Sequence, residues 1–325
     1  MKNFLILILT IFTTSLFALE CSQCGIEIRR NYLTYEDKVF CSQDCFNEIL
    51  PKCSVCFEPC VNEYFYLDNQ YFCSRECIGK VYFCSLCKEG IASESMFYEN
   101  LEGKVNQFCM TCSNLPKCHF CYQPTNRGKN FQDKSICLNC EKNGIKDRDK
   151  LYKIFQKVRN DLKKFYKYDN LHTIELIPIT PQKMDELTKN ISYTDERGAM
   201  GLYYASYSYE YKKNSQNKTK KVLIVKDCKI YIIENMPLPL LYETLAHELT
   251  HDYVRHKFGV IDDIADEEGI CELVSSLYNE YLKQGHLNKR KADRKDPVYG
   301  AGYRKMRTLY SQTQSLSAVF KTLKK

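Results

Sequence analysis

Residues 245–251 read Leu-Ala-His-Glu-Leu-Thr-His, and this stretch decides the fold of the second half of the chain. His247 and His251 are four residues apart, so on a helix they share one face and both imidazoles can reach one metal ion. Glu248 projects beside them and can hydrogen-bond a water on that metal. The flanking residues are apolar, which predicts a buried helix over residues 240–257. The pattern is typical of a catalytic zinc helix.

A catalytic zinc ion needs a third protein ligand and one open position. Metzincin spacing would put a histidine six residues after His251, but that position is Lys257, and His256 is rotated off the ligand face. The better candidate is Glu268, at the start of a second predicted helix that opens near Asp266. Glu268 would complete a set of two histidines and one glutamate.

Two further acids flank Glu268 on this helix. Glu272 lies one turn later on the same face, where it can accept the N–H of a ligand histidine and fix its tautomer. Glu267 shares the helix end, and we expect it to point away from His247 and His251. An acid-rich helix N-terminus would account for Glu267 and Glu268, but not for an acid that recurs one turn later among apolar residues.

The segments around these helices predict a mixed domain of helices and strands over residues 147–325. A basic amphipathic helix over residues 147–168 favours packing on its own domain over membrane or nucleic-acid binding. Strands are expected at residues 172–179, 202–211 and 222–233, and the last of them could hold an extended substrate by strand addition. Three side chains further along are candidates to stabilise an oxyanion: Tyr299, Tyr303 and His286.

The cysteines divide the chain into two unlike halves. Of 19 cysteines, 17 lie between residues 21 and 140. Sixteen of these form four repeats of one unit, in which a spacer of 15 to 21 residues separates two pairs of cysteines. The four units are Cys21, Cys24, Cys41 and Cys45; Cys53, Cys56, Cys73 and Cys77; Cys84, Cys87, Cys109 and Cys112; and Cys118, Cys121, Cys137 and Cys140.

Each unit supplies four thiolates, the number that a tetrahedral structural zinc needs. The spacer is long enough for a β-hairpin, and Cys-Ser-x-x-Cys in the first two units predicts a short helix, as in a treble-clef zinc finger. Disulfide bonds are the alternative in an exported chain, although disulfide frameworks rarely repeat paired cysteines so regularly. Cys60 lies outside the four units, and His119 lies between Cys118 and Cys121 of the fourth unit. Both are interpreted as structural residues.

The first 18 residues predict a secretory signal peptide. Phe4 begins a run of sixteen uncharged, mostly apolar residues, which is short for a membrane-spanning helix, and Ala18 offers a small residue for cleavage. An uncleaved N-terminal anchor is the alternative. We therefore expect a periplasmic or secreted protein.

Three segments of the second half resemble the peptidase domain of the plant DA-one family: residues 245–251, residues 267–272 (Glu-Glu-Gly-Ile-Cys-Glu) and residues 296–304 (Asp-Pro-Val-Tyr-Gly-Ala-Gly-Tyr-Arg). That family comprises ubiquitin-activated metallopeptidases that restrict organ growth and carry LIM-type zinc fingers ahead of a gluzincin-like domain. The resemblance implies a zinc endopeptidase with His247, His251 and Glu268 as ligands and Glu248 as the catalytic acid/base. The chain departs from the family in its apolar N-terminal segment and its all-cysteine units, so the ubiquitin link and growth role are not carried over.

We therefore predict an α+β protein with tandem treble-clef or LIM-like zinc fingers over residues 21–140 and a zincin-type, gluzincin-like metallopeptidase domain over residues 147–325. It would hydrolyse peptide bonds with one catalytic zinc ion, while about four structural zinc ions hold a finger region for protein interaction. The alternative is a secreted zinc-finger adaptor with a scaffold peptidase-like domain, but such a scaffold would lack Glu248 or a ligand. A net charge of +7 is too small to favour nucleic-acid binding, and 44% hydrophobic residues exclude a disordered chain.

Overall fold

The computed structural model describes most of the chain between residues 19 and 323. The described residues are 19–61, 63–67, 69–91, 94–131, 134–167, 172–190, 198–213 and 219–323. The predicted signal peptide, residues 1–18, lies outside them. Among the helices within these ranges, none combines the length and the apolar character that crossing a bilayer requires. The chain divides into two compact units: Met1–Phe97 with Gln107–Asn114, and Tyr98–Asn106 with Leu115–Lys325.

The first unit contains three small modules, each with a two-stranded hairpin followed by a short helix, except that the tip of the third hairpin, within Tyr98–Asn106, belongs to the second unit. Their elements are β1 (Leu33–Tyr35), β2 (Lys38–Phe40) and α1 (Gln43–Asn47); β3 (Phe65–Leu67), β4 (Gln70–Phe72) and α2 (Arg75–Gly79); β5 (Ser95–Glu99), β6 (Val105–Cys109) and α3 (Met110–Ser113). The predicted short helices of the first two modules are therefore confirmed. Each begins at a serine N-cap, because the Ser42 and Ser74 hydroxyls accept the backbone N–H of the cysteine three residues later at 3.2 Å.

Each module buries only a few residues. The aromatic residue just before the second cysteine pair, Phe40, Phe72 or Phe108, is buried in its module. In the second module Cys60 packs with Phe72 in a core of five buried residues, consistent with a structural role. Cores of this size contribute too little apolar burial to stabilise a fold alone, and the four cysteines of each module could hold a metal ion that would add to its stability.

The second unit contains the fourth cysteine cluster and the predicted peptidase-like domain. It opens with β7 (Lys129–Phe131), β8 (Lys134–Ser135), α4 (Leu138–Asn143), α5 (Arg148–Tyr166), β9 (Glu175–Ile179) and α6 (Pro181–Thr188). It continues with β10 (Gly201–Lys213), β11 (Thr219–Ile233), α7 (Leu238–Phe258) and α8 (Ile264–Tyr281). It ends with a 3₁₀ turn (Gly285–Leu287), α9 (Asn288–Asp293), α10 (Tyr299–Thr313) and α11 (Leu316–Lys321).

A three-stranded sheet in the order β10-β11-β9 lies beside helix α7. Strands β10 and β11 form a long antiparallel hairpin, and β9 pairs in parallel with Lys229–Ile233 of β11. Over that stretch β11 has a neighbour on both sides. The expectation that β11 accepts a substrate by strand addition is therefore wrong for Lys229–Ile233, whereas residues 222–226 pair with β10 alone in the described sheet. The edge strands of that sheet are β10 and β9.

Helices α7, α8 and α10 surround one core. Helix α7 is buried along most of its length, and α8 packs against it on one side and against α10 on the other. Helices α8 and α10 approach closely where two glycines face each other, since a Cβ at Gly269 would lie 2.5 Å from the carbonyl group of Gly302. This close crossing brings the segments 267–272 and 296–304 to the same place.

Candidate metal centre

Helix α7 holds His247 and His251 on the face that meets helix α8. Leu241, Leu245 and Leu249 are buried on the other faces of α7, which fixes the direction of the two imidazoles. The helix ends at Gly259, whose φ of 81° suits glycine. Buried leucines at this helical spacing are what the sequence pattern predicts.

Three donor atoms from these two helices converge. His247 Nε2 lies 3.3 Å from His251 Nε2 and 3.1 Å from Glu268 Oε2, and His251 Nε2 lies 3.5 Å from the same oxygen. In a tetrahedral zinc site with metal–ligand bonds of about 2.0–2.1 Å, ligand atoms are separated by roughly 3.3 Å. The three atoms thus have the spacing of three zinc ligands, and all three side chains are largely buried.

Glu267 contacts the other ring nitrogen of His251. Its Oε1 lies 3.0 Å from His251 Nδ1, and Arg255 holds the carboxylate through contacts of 3.1 and 3.2 Å. The expectation that Glu267 points away from both histidines is therefore wrong. An imidazole has nitrogens on two sides, so adjacent residues of one crossing helix can each contact one of them. A carboxylate at this position orients the ring and fixes its tautomer.

Glu272 faces His247 but is held mainly by cations. Its Oε1 lies 3.8 Å from His247 Nδ1, which is longer than a hydrogen bond. Lys291, itself buried, contacts the Glu272 carboxylate and also Glu243 at 3.2 Å, and Arg294 lies 3.9 Å from Glu272. Glu272 therefore stands beside His247 without the predicted hydrogen bond, within a buried network of acids and bases.

Cys271 is a donor that the sequence analysis missed. It is fully buried, and its sulfur lies within 4.8 Å of ring nitrogens of His247 and His251. Burial raises the pKa of this thiol to about 12. Its position four residues after Glu267, on the same helix face, is the signal that would have indicated it.

Glu248 lies beneath the first residues of strand β10. It is buried, and a Cβ at Gly201 would lie 2.6 Å from its Oε1, so glycine leaves room for the carboxylate. Burial raises the pKa of Glu248, which suits a group that must hold a proton during a reaction. The sequence analysis did not identify Gly201.

Of the three oxyanion candidates, only Tyr299 reaches this centre. Its ring centroid lies 6.2 Å from that of His247, and burial raises the pKa of its phenol, so the hydroxyl keeps its proton. His286 instead contacts the carbonyl oxygen of Leu101 at 3.1 Å, and Tyr303 is buried one turn further along α10. A pocket opens at the centre and is lined, among others, by Met200, Thr244, His247, Glu248, Glu272 and Tyr299.

The start of helix α10 fixes Tyr299. The Asp296 carboxylate accepts the backbone N–H groups of Val298, Tyr299 and Gly300 at 3.2, 2.6 and 3.3 Å. The Arg294 guanidinium lies 4.5 Å from the centre of the Tyr299 ring and also binds Asp296. These contacts explain why an aspartate precedes the tyrosine in the segment 296–304.

A second group of polar side chains lies behind His251. Asp252 is fully buried, accepts a hydrogen bond from the Tyr203 hydroxyl at 3.1 Å, and lies 2.5 Å from His172 Nδ1. The Tyr203 ring stacks on that of His251, with centroids 6.3 Å apart. His256, expected at the surface, is exposed and contacts His172 at 3.0 Å, away from the three converging donors.

The four cysteine units form four compact clusters. Neighbouring sulfurs lie 3.4 to 4.0 Å apart across the clusters. Tetrahedral zinc with Zn–S bonds of about 2.3 Å requires roughly 3.8 Å, whereas a disulfide requires about 2.05 Å. All 19 cysteines, each within the described ranges, are free thiols. Each cluster can therefore bind one structural zinc ion.

Comparison with known proteins gives one distant relative. No family model and no solved structure matches the chain. Among curated proteins, Protein DA1-related 6 of Arabidopsis thaliana is 24% identical over 222 residues, which cover 60% of this chain. The match covers 33% of that relative, so the chain spans about a third of its length. This distant similarity supports the resemblance to the DA-one family, and the four cysteine clusters fit a LIM-like zinc-finger region.

Proposed function

We propose that this protein is a zinc-dependent metallopeptidase that hydrolyses peptide bonds in a protein or peptide substrate. The observation that carries this proposal is the convergence of His247, His251 and Glu268 at 3.1 to 3.5 Å, with Glu248 beside them at an open pocket. Three protein ligands with room for a fourth group are the arrangement of catalytic zinc sites.

The residues of the centre divide the chemistry among them. His247, His251 and Glu268 would hold a zinc ion, which would supply Lewis acidity toward the attacking water and the scissile carbonyl. Glu248 takes the proton of the water and delivers it to the leaving amine, and its burial favours a carboxyl that can hold this proton. The Tyr299 hydroxyl donates a hydrogen bond to the oxygen on which negative charge develops.

Strand β10 is the surface on which an extended substrate would lie. Its first residues pass directly over Glu248, and in the described sheet β10 is paired on one side only. An edge strand offers unpaired backbone groups to a peptide, so the peptide can add as a further strand. A peptide added along this edge would pass Glu248, and one of its backbone carbonyls would then come within reach of the centre.

The cysteine modules and the N-terminal segment complete the proposal. The modules would each hold a structural zinc ion and present a surface to a protein partner, and the first 18 residues would direct export to the periplasm or the exterior. The second candidate function is a zinc-finger adaptor with an inactive scaffold domain. The four cysteine clusters favour the adaptor as much as they favour the peptidase. Only a measurement of peptide hydrolysis therefore distinguishes the two candidate functions.

Glu248→Gln tests the reaction. If Glu248 is the general base, the variant should bind as much zinc as the native chain, roughly five ions, while hydrolysis of a casein or peptide-library substrate falls by at least about 100-fold. The matched control is Glu186→Gln, an exposed glutamate on helix α6, which should keep full activity.

Two results would contradict the proposal. A Glu248→Gln variant as active as the native chain removes the assigned general base. A native chain that holds about five zinc ions but cleaves none of the peptides in the library supports the adaptor instead.

A further inference from the structure

The β10–β11 hairpin carries an exposed row of tyrosines that the hydrolytic centre does not use. Residues 203, 205, 207, 209 and 211 share one face of strand β10, because side chains alternate along a strand. Four of these five are tyrosines. The first, Tyr203, is covered and stacks on His251. Beyond Ala205 the face opens, and Tyr207, Tyr209 and Tyr211 are 49%, 46% and 71% exposed.

The same hairpin is strongly basic. Strands β10 and β11 together contain six lysines and only two acids, Glu210 and Asp227. Both acids contact neighbouring residues of the hairpin: Glu210 lies 3.4 Å from Lys212, and Asp227 accepts a hydrogen bond from Ser206 at 2.7 Å. The charge that remains is positive, although the whole chain is only mildly basic.

A kink separates the open part of the hairpin from the part that packs on helix α7. Between Tyr204 and Ser206 the register shifts, and Asp227 on the opposite strand has a φ of 49°. A bulge of this kind increases the local twist and re-aims the side chains beyond it. The tyrosine row therefore continues outward from the metal centre on a differently directed surface.

We infer that the outer hairpin, residues 206–213 with the paired strand β11, is a docking surface for an acidic, extended polypeptide, which is the substrate on its way to the centre. The inference rests on the proposed function and names the class of substrate. In the described sheet β10 has no neighbour on its outer side, so its backbone can form hydrogen bonds with an added strand. The tyrosines offer contact area, and the lysines attract carboxylates. Because the outer hairpin and the residues over Glu248 belong to the same strand, β10, a polypeptide bound along it would extend to the proposed zinc ligands.

A nucleic acid is the competing occupant, because aromatic and basic side chains also bind single strands. The strand edge favours a polypeptide. Its N–H and C=O groups form a ladder with another strand, and a nucleic acid has no matching ladder. The outer hairpin also lies next to a candidate peptidase centre, which again favours a polypeptide over a nucleic acid.

The test measures binding without hydrolysis, using the full chain with Glu248→Gln. The probes are three fluorescein-labelled molecules of similar length: a peptide of about 12 residues alternating Glu and Val, its counterpart with Lys in place of Glu, and oligothymidylate. We expect the acidic peptide to bind tightest and to bind more weakly at high salt. Tyr207→Ser combined with Tyr209→Ser should weaken its binding by about tenfold.

Tyr152→Ser is the matched control, since Tyr152 is 55% exposed on helix α5 and should leave peptide binding unchanged. The inference is overturned if the basic peptide or oligothymidylate binds as well as the acidic one. It is also overturned if the double tyrosine variant, with an unchanged melting temperature, binds the acidic peptide normally. If the native chain binds the acidic peptide but hydrolyses neither that peptide nor any member of the peptide library, the proposed function is rejected and the docking surface stands.

Discussion

At the scale of single residues, the two adjacent acids of helix α8 have different partners. Glu268 contacts the inner nitrogens of both histidines, whereas Glu267 contacts only His251 Nδ1 and is shared with Arg255. A direct ligand contributes a bond to the metal, while a carboxylate behind a histidine only orients and polarises the ring. The two positions should therefore respond differently to the loss of charge.

Glu268→Gln should strip the zinc ion from this centre and abolish hydrolysis. Glu267→Gln should retain a zinc ion with affinity weakened by about 10- to 100-fold, as expected when a partner behind a ligand is removed. Glu280→Gln, near the exposed end of the same helix, is the control. Zinc per chain and chelator titration at neutral pH measure all three. If Glu267→Gln loses more zinc than Glu268→Gln, the ligand assignment is wrong by one residue.

Much of this centre can be predicted from the sequence, and the part that cannot depends on how helices cross. The spacing of His247 and His251 fixes their common face without any tertiary information. Which neighbour of Glu268 meets His251, and whether Cys271 faces the metal, depends on where α8 crosses α7. The spacing of apolar residues in the sequence does not predict where two helices cross. The orientation of Glu267 was therefore predicted wrongly.

At the scale of elements, the crossing of α8 and α10 depends on two glycines. A Cβ at Gly302 would approach Gly269 Cα to 3.0 Å and collide with the carbonyl oxygen of Ala265. Both are backbone atoms, so neither can move aside cheaply. Where α8 and α10 cross determines the positions of Glu268 on α8 and Tyr299 on α10. The packing of these two helices therefore affects the proposed hydrolysis.

Gly302→Ala should therefore destabilise the second unit by about 1–3 kcal/mol, the usual cost of overpacking a core. Its melting temperature and its hydrolysis rate should both fall. Gly285→Ala is the control, because a Cβ there meets nothing closer than 3.7 Å. Thermal unfolding followed by circular dichroism compares the two. Equal melting temperatures would mean that α10 can shift without loss, and that the close crossing is not required.

Elements with a strong periodic pattern were predictable, and their ends were less so. The helix predicted at 240–257 is α7, Leu238–Phe258, and the strand predicted at 202–211 extends over Gly201–Lys213. The two predicted strands leave residues 212–221 between them, yet lysines of both strands continue the ladder to the pair Lys213 and Thr219. Backbone pairing in an exposed hairpin does not require apolar side chains, so hydrophobic periodicity underestimates its length.

At the scale of the whole molecule, the four cysteine clusters are alike in sequence but unlike in their surroundings. In the second unit Cys118, Phe120 and Cys140 belong to the same core as helices α5, α7 and α8. Just after this cluster, the backbone N–H of Ile145 binds the carbonyl oxygen of Met236, at the entry to helix α7. The first three clusters lie in the other unit, where the first two have small cores of their own. The sequence repeat predicts that all four units have the same set of four cysteines. It does not predict that the fourth unit packs into the larger core of the second unit.

Cys137→Ser and Cys41→Ser compare these surroundings directly, because both cysteines are partly buried and open the second pair of their clusters. Each variant should lose about one zinc ion per chain. Loss of metal from the fourth cluster leaves buried thiols unpaired inside the core that supports α7, so Cys137→Ser should lower the melting temperature of the second unit and with it hydrolysis. Cys41→Ser should unfold only its own module and leave hydrolysis and hydrogen exchange in α7 unchanged. Hydrogen exchange measured by mass spectrometry separates the two outcomes. Unchanged protection of α7 in Cys137→Ser would mean that the fourth cluster, despite its place in the core, folds independently of helices α7 and α8.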